Sequence, residues 1–137
     1  MKIIEIPARK LDTRQFINDK VRFISEAVGK GTAVTALSGG IDSSVVTKLG
    51  HMALGDRLKA YFIDNGLMRQ EEPQTVVRLF RRIGIPVEII DAKKQFFEAL
   101  KGLRDPEQKR EAITQTFYKK VFGPLVKKSG AHFLLQG

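Results

Sequence analysis

The chain has 137 residues, of which 42% are hydrophobic, and a formal net charge of +9 at neutral pH. This is the size of one globular domain with an ordinary core. The sequence contains no cysteine, which excludes disulfides, thiolate zinc sites and a cysteine nucleophile.

The hydropathy pattern argues against a membrane or a leader. No apolar run approaches the ~18 residues that span a bilayer, and residues 1–10 lack the apolar stretch of a signal peptide. We therefore expect a cytoplasmic protein. The positive charge suits anionic ligands such as nucleotides. The basic residues are spread over helices without interleaved aromatic residues, so we do not expect a nucleic-acid partner.

The first half of the chain alternates between helix and strand patterns. Apolar residues at helical spacing predict a helix over 15–28, with Asp12 or Thr13 as its cap. A short apolar run predicts a strand over 32–37. A helix over 42–54 follows, and Gly55 ends it.

The second half continues the alternation. We predict strands over 57–63, 86–90 and 131–135, and helices over 72–83, 94–100 and 106–121 or beyond. In the helix over 72–83 five apolar side chains are predicted to face inward: Val76, Val77, Leu79, Phe80 and Ile83. Strands that are nearly continuous apolar runs and alternate with helices predict an α/β fold. Its parallel sheet carries helices on both faces and is Rossmann-like.

In such a fold ligands bind beyond the carboxyl ends of the strands. Four segments reach that edge: 38–44, 64–69, 91–94 and 136–137. The first is the most informative. It comprises Ser38, Gly39, Gly40, Ile41, Asp42, Ser43 and Ser44.

This heptapeptide joins the first strand to the following helix. Glycines allow a sharp turn and a close approach of the backbone to a ligand, and the first N–H groups of the helix attract anions. A carboxylate among phosphates requires a bridging divalent cation, so Asp42 is a candidate metal ligand. The loop lacks the lysine of a Walker motif. The plain alternative is a glycine turn with Asp42 as the helix cap.

The sequence Ser-Gly-Gly-x-Asp-Ser-Ser between a strand and a helix resembles the signature loop of the ATP pyrophosphatases, the PP-loop superfamily. These enzymes cleave ATP between its α and β phosphates. The resemblance implies an adenine nucleotide alpha hydrolase-like fold, with ATP and Mg²⁺ as ligands. It implies that all seven residues bind ATP and that Asp42 is both a metal ligand and a catalytic residue.

A second motif, Asp64-Asn65-Gly66-Leu67, follows the second strand. Alone, such a sequence is usually a turn, although Asp64 could take a ribose hydroxyl or a metal there. The motif is similar to the same strand end in the pyrophosphatase domain of GMP synthetases. That resemblance implies that the backbone around Phe62 reads the adenine edge and that Asp64 lies in the ATP site.

A third motif runs Asp105-Pro106-Glu107-x-Lys109-Arg110. Pro106 suits the first turn of a helix and Asp105 suits its cap. An exposed charged helix is the plain alternative. The motif resembles the lid of GMP synthetases, which implies that Lys109 and Arg110 are catalytic and that Arg110 binds the nucleotide substrate.

Together the motifs imply a ligase of GMP synthetase type, in which ATP adenylates xanthosine monophosphate and ammonia displaces AMP to form GMP. Two departures leave the acceptor open: Glu111 stands where the family usually has Lys, and Thr114 where it has Gly. The alternatives are another PP-loop adenylating enzyme, tRNA-modifying or NAD synthetase-like, and an ATP-binding module without catalysis.

The resemblance also implies how the chain is organised. Residues 1–137 are expected to be a single ATP pyrophosphatase domain, with an N-terminal helix at 15–28 and a nucleotide-binding core at 32–137. No glutaminase or dimerisation domain is expected in this chain, and the sheet is expected to be incomplete at its carboxyl-terminal side. The implied partners are a separate glutamine amidotransferase that supplies ammonia and a second copy in a homodimer.

Overall fold

The computed structural model describes residues 7–137. Residues 1–6, part of the segment that is expected not to be a signal peptide, lie outside the described residues. The helices are α1 (Thr13–Val28), α2 (Ile41–Leu54), α3 (Glu72–Arg82), α4 (Lys93–Leu100), α5 (Pro106–Gln115) and α6 (Gly123–Ser129). The strands are β1 (Ala33–Leu37), β2 (Leu58–Asp64), β3 (Val87–Asp91) and β4 (Phe133–Leu135). Short 3₁₀ turns occur at Ala8–Lys10 and Gly55–Arg57, and a π-helical segment at Thr116–Phe122.

The four strands form one parallel sheet in the order β3-β2-β1-β4. The chain moves from β1 outward to β2 and β3, and then crosses back to place β4 on the other side of β1. The carboxyl end of β1 is therefore a topological switch point, where α/β sheets open a crevice for ligands. The predicted fold class and order of elements are confirmed.

Helices cover both faces of the sheet because alternate strand residues point to opposite sides. On one face, residues of β1 and β2 pack against α4 and the π-helical segment: Val34, Tyr61, Ile63, Ala92, Phe96, Val121 and Phe122. The other face packs against α3 and the turn after it, with Leu37, Ala60, Phe62, Phe80 and Ile85. Near the amino ends of the strands, Val28 of α1 and Leu54 of α2 pack with Ala33 of β1 and Leu58 of β2.

The predicted inward face of α3 was too wide. Val77 and Phe80 are buried as expected, but Leu79 and Ile83 are 57% and 45% exposed. The buried positions on this helix are Pro73, Val77 and Phe80, which lie four and three residues apart on a single stripe. Apolar residues beside that stripe remain in solvent.

The predicted helix over 106–121 is interrupted. The α-helix ends at Gln115, and Thr116–Phe122 continues with π-helical hydrogen bonds before α6 begins. Pro124, near the start of α6, has no N–H to donate to the preceding turn. The rings of Phe117 and Phe122, five residues apart, stack with centroids 5.5 Å apart, which matches the i→i+5 pattern of a π-helix.

No helix within residues 7–137 has both the length and the apolar character needed to cross a bilayer.

Candidate functional site

The sheet brings the predicted loops to one edge. Leu37 of β1 pairs with Phe62 of β2, so the heptapeptide and Asp64 leave the sheet side by side. Asp64 pairs with Asp91 at the end of β3, and β4 runs alongside β1. All four segments expected at the carboxyl edge lie there.

The heptapeptide, residues 38–44, is named the phosphate loop after its predicted ligand, and it is held together by its own hydroxyl groups. The Ser43 hydroxyl is buried, accepts a hydrogen bond from the Ser38 N–H at 3.2 Å and donates to the Gly40 carbonyl at 3.2 Å. The Ser44 hydroxyl donates to the same carbonyl at 2.7 Å. The hydroxyls of Ser38 and Ser43 are 3.1 Å apart. The serines that were expected to contact phosphate thus also shape the loop before any ligand binds.

The start of α2 leaves its N–H groups available. Gly40 is the N-cap and has no side chain to accept from them, whereas the alternative interpretation made Asp42 the cap. Asp42 instead lies exposed in the first turn, and Ile41 is 82% exposed beside it. An uncapped N-terminus of a 14-residue helix attracts anions through free N–H groups and the helix dipole.

A divalent cation at Asp42 would need ligands from a bound nucleotide. Within residues 7–137 no three or more His, Cys, Asp and Glu side chains cluster tightly enough to hold a metal ion. A single carboxylate beside a phosphate loop fits Mg²⁺, which is usually held by one or two carboxylates together with substrate phosphates and water. The donor set therefore fits this cation only when phosphate is also bound.

Gly39 adopts a left-handed conformation and is closely surrounded. Its φ is 82°, and a Cβ there would lie 3.1 Å from Oε1 of Glu72 and 3.9 Å from the ring of Phe62. Phe62 itself is fully buried, so only its backbone could read a base, as the resemblance implies. The loop therefore favours glycine at this position for its left-handed conformation, and an added Cβ would also require the Glu72 carboxylate to shift slightly.

Asp64 lies at the sheet edge as expected, but both of its carboxylate oxygens have partners within the protein. Oδ1 accepts from the Gly66 N–H at 3.0 Å, and Oδ2 lies 3.1 Å from Nζ of Lys93. This hydrogen bond and the negative charge of Asp64 raise the pKa of Lys93, with a further contribution from Asp91. The carboxylate already shapes a turn, so a role with ribose or metal stays a prediction.

Sequence reasoning did not single out Lys93 or Glu72. Lys93 was included only as part of the edge segment 91–94, and Glu72 only as the first residue of a predicted helix. The Lys93 side chain pairs with Asp64, and the Glu72 side chain accepts from the Arg69 N–H and lies beside Gly39. Each of these partners is at least three positions away in the sequence. The sequence contained one indication that these residues belong to the site: each one closely follows a predicted turn or strand.

Among residues 7–137, no hydrogen bond or ion pair joins Asp105, Lys109 or Arg110 to the phosphate loop. Asp105 caps α5 by accepting from the Gln108 N–H at 2.9 Å, as predicted. Arg110 pairs with Glu107 at 2.6 Å, and both side chains are exposed. Lys109 is also exposed. The departure at Thr114 is local, since its hydroxyl donates to the Arg110 carbonyl within the same helix.

Three cavities flank the phosphate loop and the turn after β2. One, of about 150 Å³, lies between the loop and the π-helical segment, and its lining includes Ser38, Ser43, Tyr118 and Gln136. Another, of about 310 Å³, is lined by residues of β2, α3, α4 and the turn: Asp64, Gly66, Met68, Arg69, Gln70, Pro73, Gln74, Lys93 and Phe97. The third, also of about 310 Å³, is lined by Arg69, Glu71, Glu72, Thr75 and Val76. A larger cavity of about 450 Å³ lies at the amino ends of β2 and β3, away from these loops.

The end of β4 closes tightly on α2. A Cβ at Gly137 would lie 2.6 Å from the carbonyl oxygen of Asp42 and 2.8 Å from Cγ2 of Val46. Glycine is therefore required for the strand end to approach the first turn of α2 this closely.

Comparison with known proteins points in the same direction as the motifs. A family model described as NAD synthase matches residues 12–119. The chain is 47% identical over 128 residues to one subunit of a glutamine-hydrolyzing GMP synthase from Pyrococcus horikoshii. It is 46% identical over 123 residues to the glutamine-hydrolyzing GMP synthase from Aquifex aeolicus. The predicted resemblance to GMP synthetases is confirmed.

These matches include 93% and 89% of this chain but only 41% and 24% of the relatives. The chain thus spans about two fifths of the length of the Pyrococcus horikoshii subunit.

Solved structures confirm the fold. An NH3-dependent NAD synthetase from Campylobacter jejuni superposes with a TM-score of 0.73 at 18% identity, over 90% of this chain and 56% of that protein. A glutamine-dependent NAD+ synthetase from Acinetobacter baumannii, in complex with ADP, superposes with a TM-score of 0.74 at 21% identity, over 98% and 27%. Both therefore share the Rossmann-like α/β fold of this chain.

Proposed function

Because the chain belongs to the NAD synthase family, we propose that it is the ATP-binding part of a ligase that forms C–N bonds, of GMP synthetase type. The observation that carries the proposal is the junction between β1 and α2. There Gly39 and Gly40 lead into a helix whose N-terminus has no side-chain cap. Polyphosphate is the ligand that such a junction suits best.

In the proposed reaction the loop of residues 38–44 holds the β and γ phosphates of ATP. The carbonyl oxygen of the acceptor attacks the α phosphate, a new P–O bond forms, and the bond to pyrophosphate breaks. Ammonia then displaces AMP from the acceptor carbon and loses a proton to solvent. The N–H groups at the start of α2 stabilise the charge that develops on the leaving pyrophosphate.

Asp42 is proposed to hold Mg²⁺ together with the ATP phosphates, and the cation supplies positive charge to the leaving group. Ser43 and Ser44 keep the carbonyl of Gly40 turned into the loop through their hydroxyls. The N–H groups at the start of α2, which no side chain caps, are proposed to donate to the phosphates. This arrangement costs no reorganisation when ATP binds.

We propose xanthosine monophosphate as the acceptor on the strength of relatives at 42–48% identity whose names are GMP synthases. Arg110 and Lys109 are proposed to reach the acceptor or the nucleotide from the lid. Since Arg110 is paired with Glu107 in this structure, the ion pair must open or the helix must move for this contact. Exposed ion pairs contribute only about 0–1 kcal/mol, so such opening is inexpensive.

The ammonia source and assembly are also part of the proposal. Several relatives are named as one subunit of a glutamine-hydrolyzing enzyme. We propose that a separate glutamine amidotransferase supplies ammonia to the protein that carries this chain, and that this protein forms a homodimer.

The test is a reaction with ATP, Mg²⁺, ammonium and xanthosine monophosphate, followed by chromatography for AMP and GMP. We expect equal amounts of both products. Asp42→Asn is expected to reduce turnover at least about a hundredfold, the loss typical when one charge-stabilising group is removed, without changing the melting temperature. Formation of AMP without GMP would contradict the acceptor, and absence of ATP binding would contradict the proposal itself.

A second candidate is an NAD-forming ligase, favoured by the family model and by the two NAD synthetase structures. It uses the same ATP loop with a different acceptor. Replacing xanthosine monophosphate by the carboxylate precursor of NAD in the same assay distinguishes the two. ATP binding without AMP from any acceptor, including tRNA, would instead favour an ATP-binding module.

A further inference from the structure

We propose that Lys93 and Glu72 are positioning residues that hold residues 64–69 as one wall of the nucleotide site. The inference depends on the ATP binding proposed above. It concerns two side chains outside the predicted motifs, one at the start of α4 and the other at the start of α3. Each reaches the segment that joins β2 to α3 from a different side.

Lys93 anchors the first part of the segment. Its ammonium lies 3.1 Å from Oδ2 of Asp64, whose other oxygen accepts from the Gly66 N–H. Its aliphatic chain packs on Gly66: a Cβ there would lie 3.1 Å from Cγ of Lys93 and 2.6 Å from Cζ of Phe97. The Ala92 N–H also donates to the Asp64 carbonyl at 2.9 Å. The turn therefore rests directly on the start of α4.

Glu72 anchors the last part of the segment and connects it to the phosphate loop. Its Oε2 accepts from the Arg69 N–H at 3.3 Å, and the Glu72 N–H donates to the Arg69 carbonyl at 3.1 Å. Its Oε1 lies 3.1 Å from the position a Cβ would occupy at Gly39. One carboxylate thus contacts both the wall and the loop that is proposed to hold phosphate.

The segment depends on these contacts because it has little structure of its own. Between Asp64 and Glu72 there is no helix or strand. The side chain of Asp64 is only 10% exposed, whereas that of Lys93 is 47% exposed. A buried carboxylate that loses its partner is destabilised, so without Lys93 the turn at Asp64 is expected to open towards water.

The chain offers a matched control beside each residue. Lys94 follows Lys93, is 85% exposed and pairs only at 4.0 Å with Glu98. Glu71 precedes Glu72 and is exposed. Lys94→Met and Glu71→Gln remove the same charges from the same helix starts, and within the described part of the chain neither side chain forms a hydrogen bond or ion pair with residues 64–69.

Calorimetric titration with Mg-ATP and with Mg-pyrophosphate tests the proposal on the full chain. We expect Lys93→Met to weaken ATP binding about tenfold, the scale of a lost hydrogen bond to a charged group. Pyrophosphate binding should stay within twofold, because pyrophosphate reaches only the loop of residues 38–44. Lys93→Arg is expected to restore ATP affinity.

Glu72 should behave differently because it also contacts Gly39. Glu72→Ala is expected to weaken both ATP and pyrophosphate about tenfold through the loss of its hydrogen bond and packing. Glu72→Gln, which keeps an amide oxygen for the Arg69 N–H, should retain most of the affinity for both ligands. Lys94→Met and Glu71→Gln should bind both ligands as the unmodified chain does.

Equal effects of Lys93→Met on both ligands, accompanied by a lower melting temperature, would indicate general destabilisation and overturn the proposal. Unchanged ATP binding by both Lys93→Met and Glu72→Ala would overturn it as well. If the unmodified chain binds neither ATP nor pyrophosphate, the proposed function is wrong. If the unmodified chain binds ATP and neither substitution changes its affinity, only the role of Lys93 and Glu72 is wrong.

Discussion

At the scale of single residues, the candidate site depends on a few positions where backbone conformation and space act together. Gly39 has a φ of 82°, and Oε1 of Glu72 lies 3.1 Å from the position that a Cβ would occupy there. Gly137 meets the backbone of Asp42. A substitution at such a position strains the local backbone and also shifts one loop relative to another.

Gly39→Ala is expected to weaken ATP binding about tenfold, as Glu72→Ala does, because the added methyl group displaces the Glu72 carboxylate, while the left-handed conformation becomes strained. Gly84→Ala is the matched control: Gly84 has a φ of 76° but nothing lies within 4 Å of its Cβ position. Both variants should lose about 1–2 kcal/mol of stability from backbone strain, measured by urea unfolding. Equal ATP affinity in the two variants would contradict the steric argument.

The pair between Lys93 and Asp64 predicts a pH dependence at the alkaline end. Since the pKa of Lys93 is raised in the folded protein, its pair stabilises the fold fully below the unfolded pKa of about 10.4. That stabilisation is lost as pH rises through the higher folded pKa. The difference in unfolding free energy between the unmodified chain and Lys93→Met should be constant from about pH 8 to 10 and shrink above that range. A difference that vanished already near pH 8 would show that the pair contributes nothing.

At the scale of elements, the region after α4 departs most from its simple prediction. The sequence pattern predicts one long helix, while the structure has α5, the π-helical segment and α6 in succession. The π-helical turns point Phe122 into the core and leave Tyr118 half-exposed, where its hydroxyl accepts a hydrogen bond from Gln136 at 3.4 Å. π-Helical turns are frequent at functional sites, and this one lines the cavity beside the phosphate loop.

Asp105→Ala is expected to destabilise the chain by about 1 kcal/mol, because it removes the N-cap of α5, and to reduce turnover more than ATP binding if α5 carries the lid. Asp105→Asn keeps a capping oxygen and should retain both stability and turnover. Thermal unfolding and the AMP assay measure the two effects. Loss of turnover in both variants would indicate that the charge of Asp105 matters, independently of its capping role.

At the scale of the whole molecule, the two faces of the sheet are stabilised by separate clusters that share the strands. The phosphate loop and the turn after β2 are supported mainly by the face that contains Leu37, Phe62 and Phe80. The α4 anchor of that turn belongs to the other face through Phe96. The candidate site therefore requires both layers of helices to be packed on the sheet.

Phe80→Ala is expected to cost about 3–5 kcal/mol of unfolding free energy, as is typical for a buried Phe, since Phe80 is 3% exposed. Its neighbour Leu79 is 57% exposed, so Leu79→Ala should stay within about 1 kcal/mol, as surface substitutions usually do. Urea unfolding followed by circular dichroism measures both. Similar losses in the two variants would contradict the observed orientation of α3.

Local signals in the sequence were sufficient to predict the order and type of nearly all elements, the parallel α/β class, and the glycine loop at the end of β1. These signals are apolar runs, helical spacing, and glycine at turns. Capping by Asp105 was predictable for the same reason, since a cap and its helix lie within four residues.

Which side chains meet was settled by the packing of distant segments. The strand order put Lys93 beside Asp64 and Glu72 beside Gly39, and it assigned the carboxylate of Asp64 to a turn. Packing also determined which apolar residues of α3 are buried and where the π-helical segment forms. These outcomes depend on contacts between elements that are distant in sequence. The periodicity of one segment does not show which face of it another helix or strand will pack against.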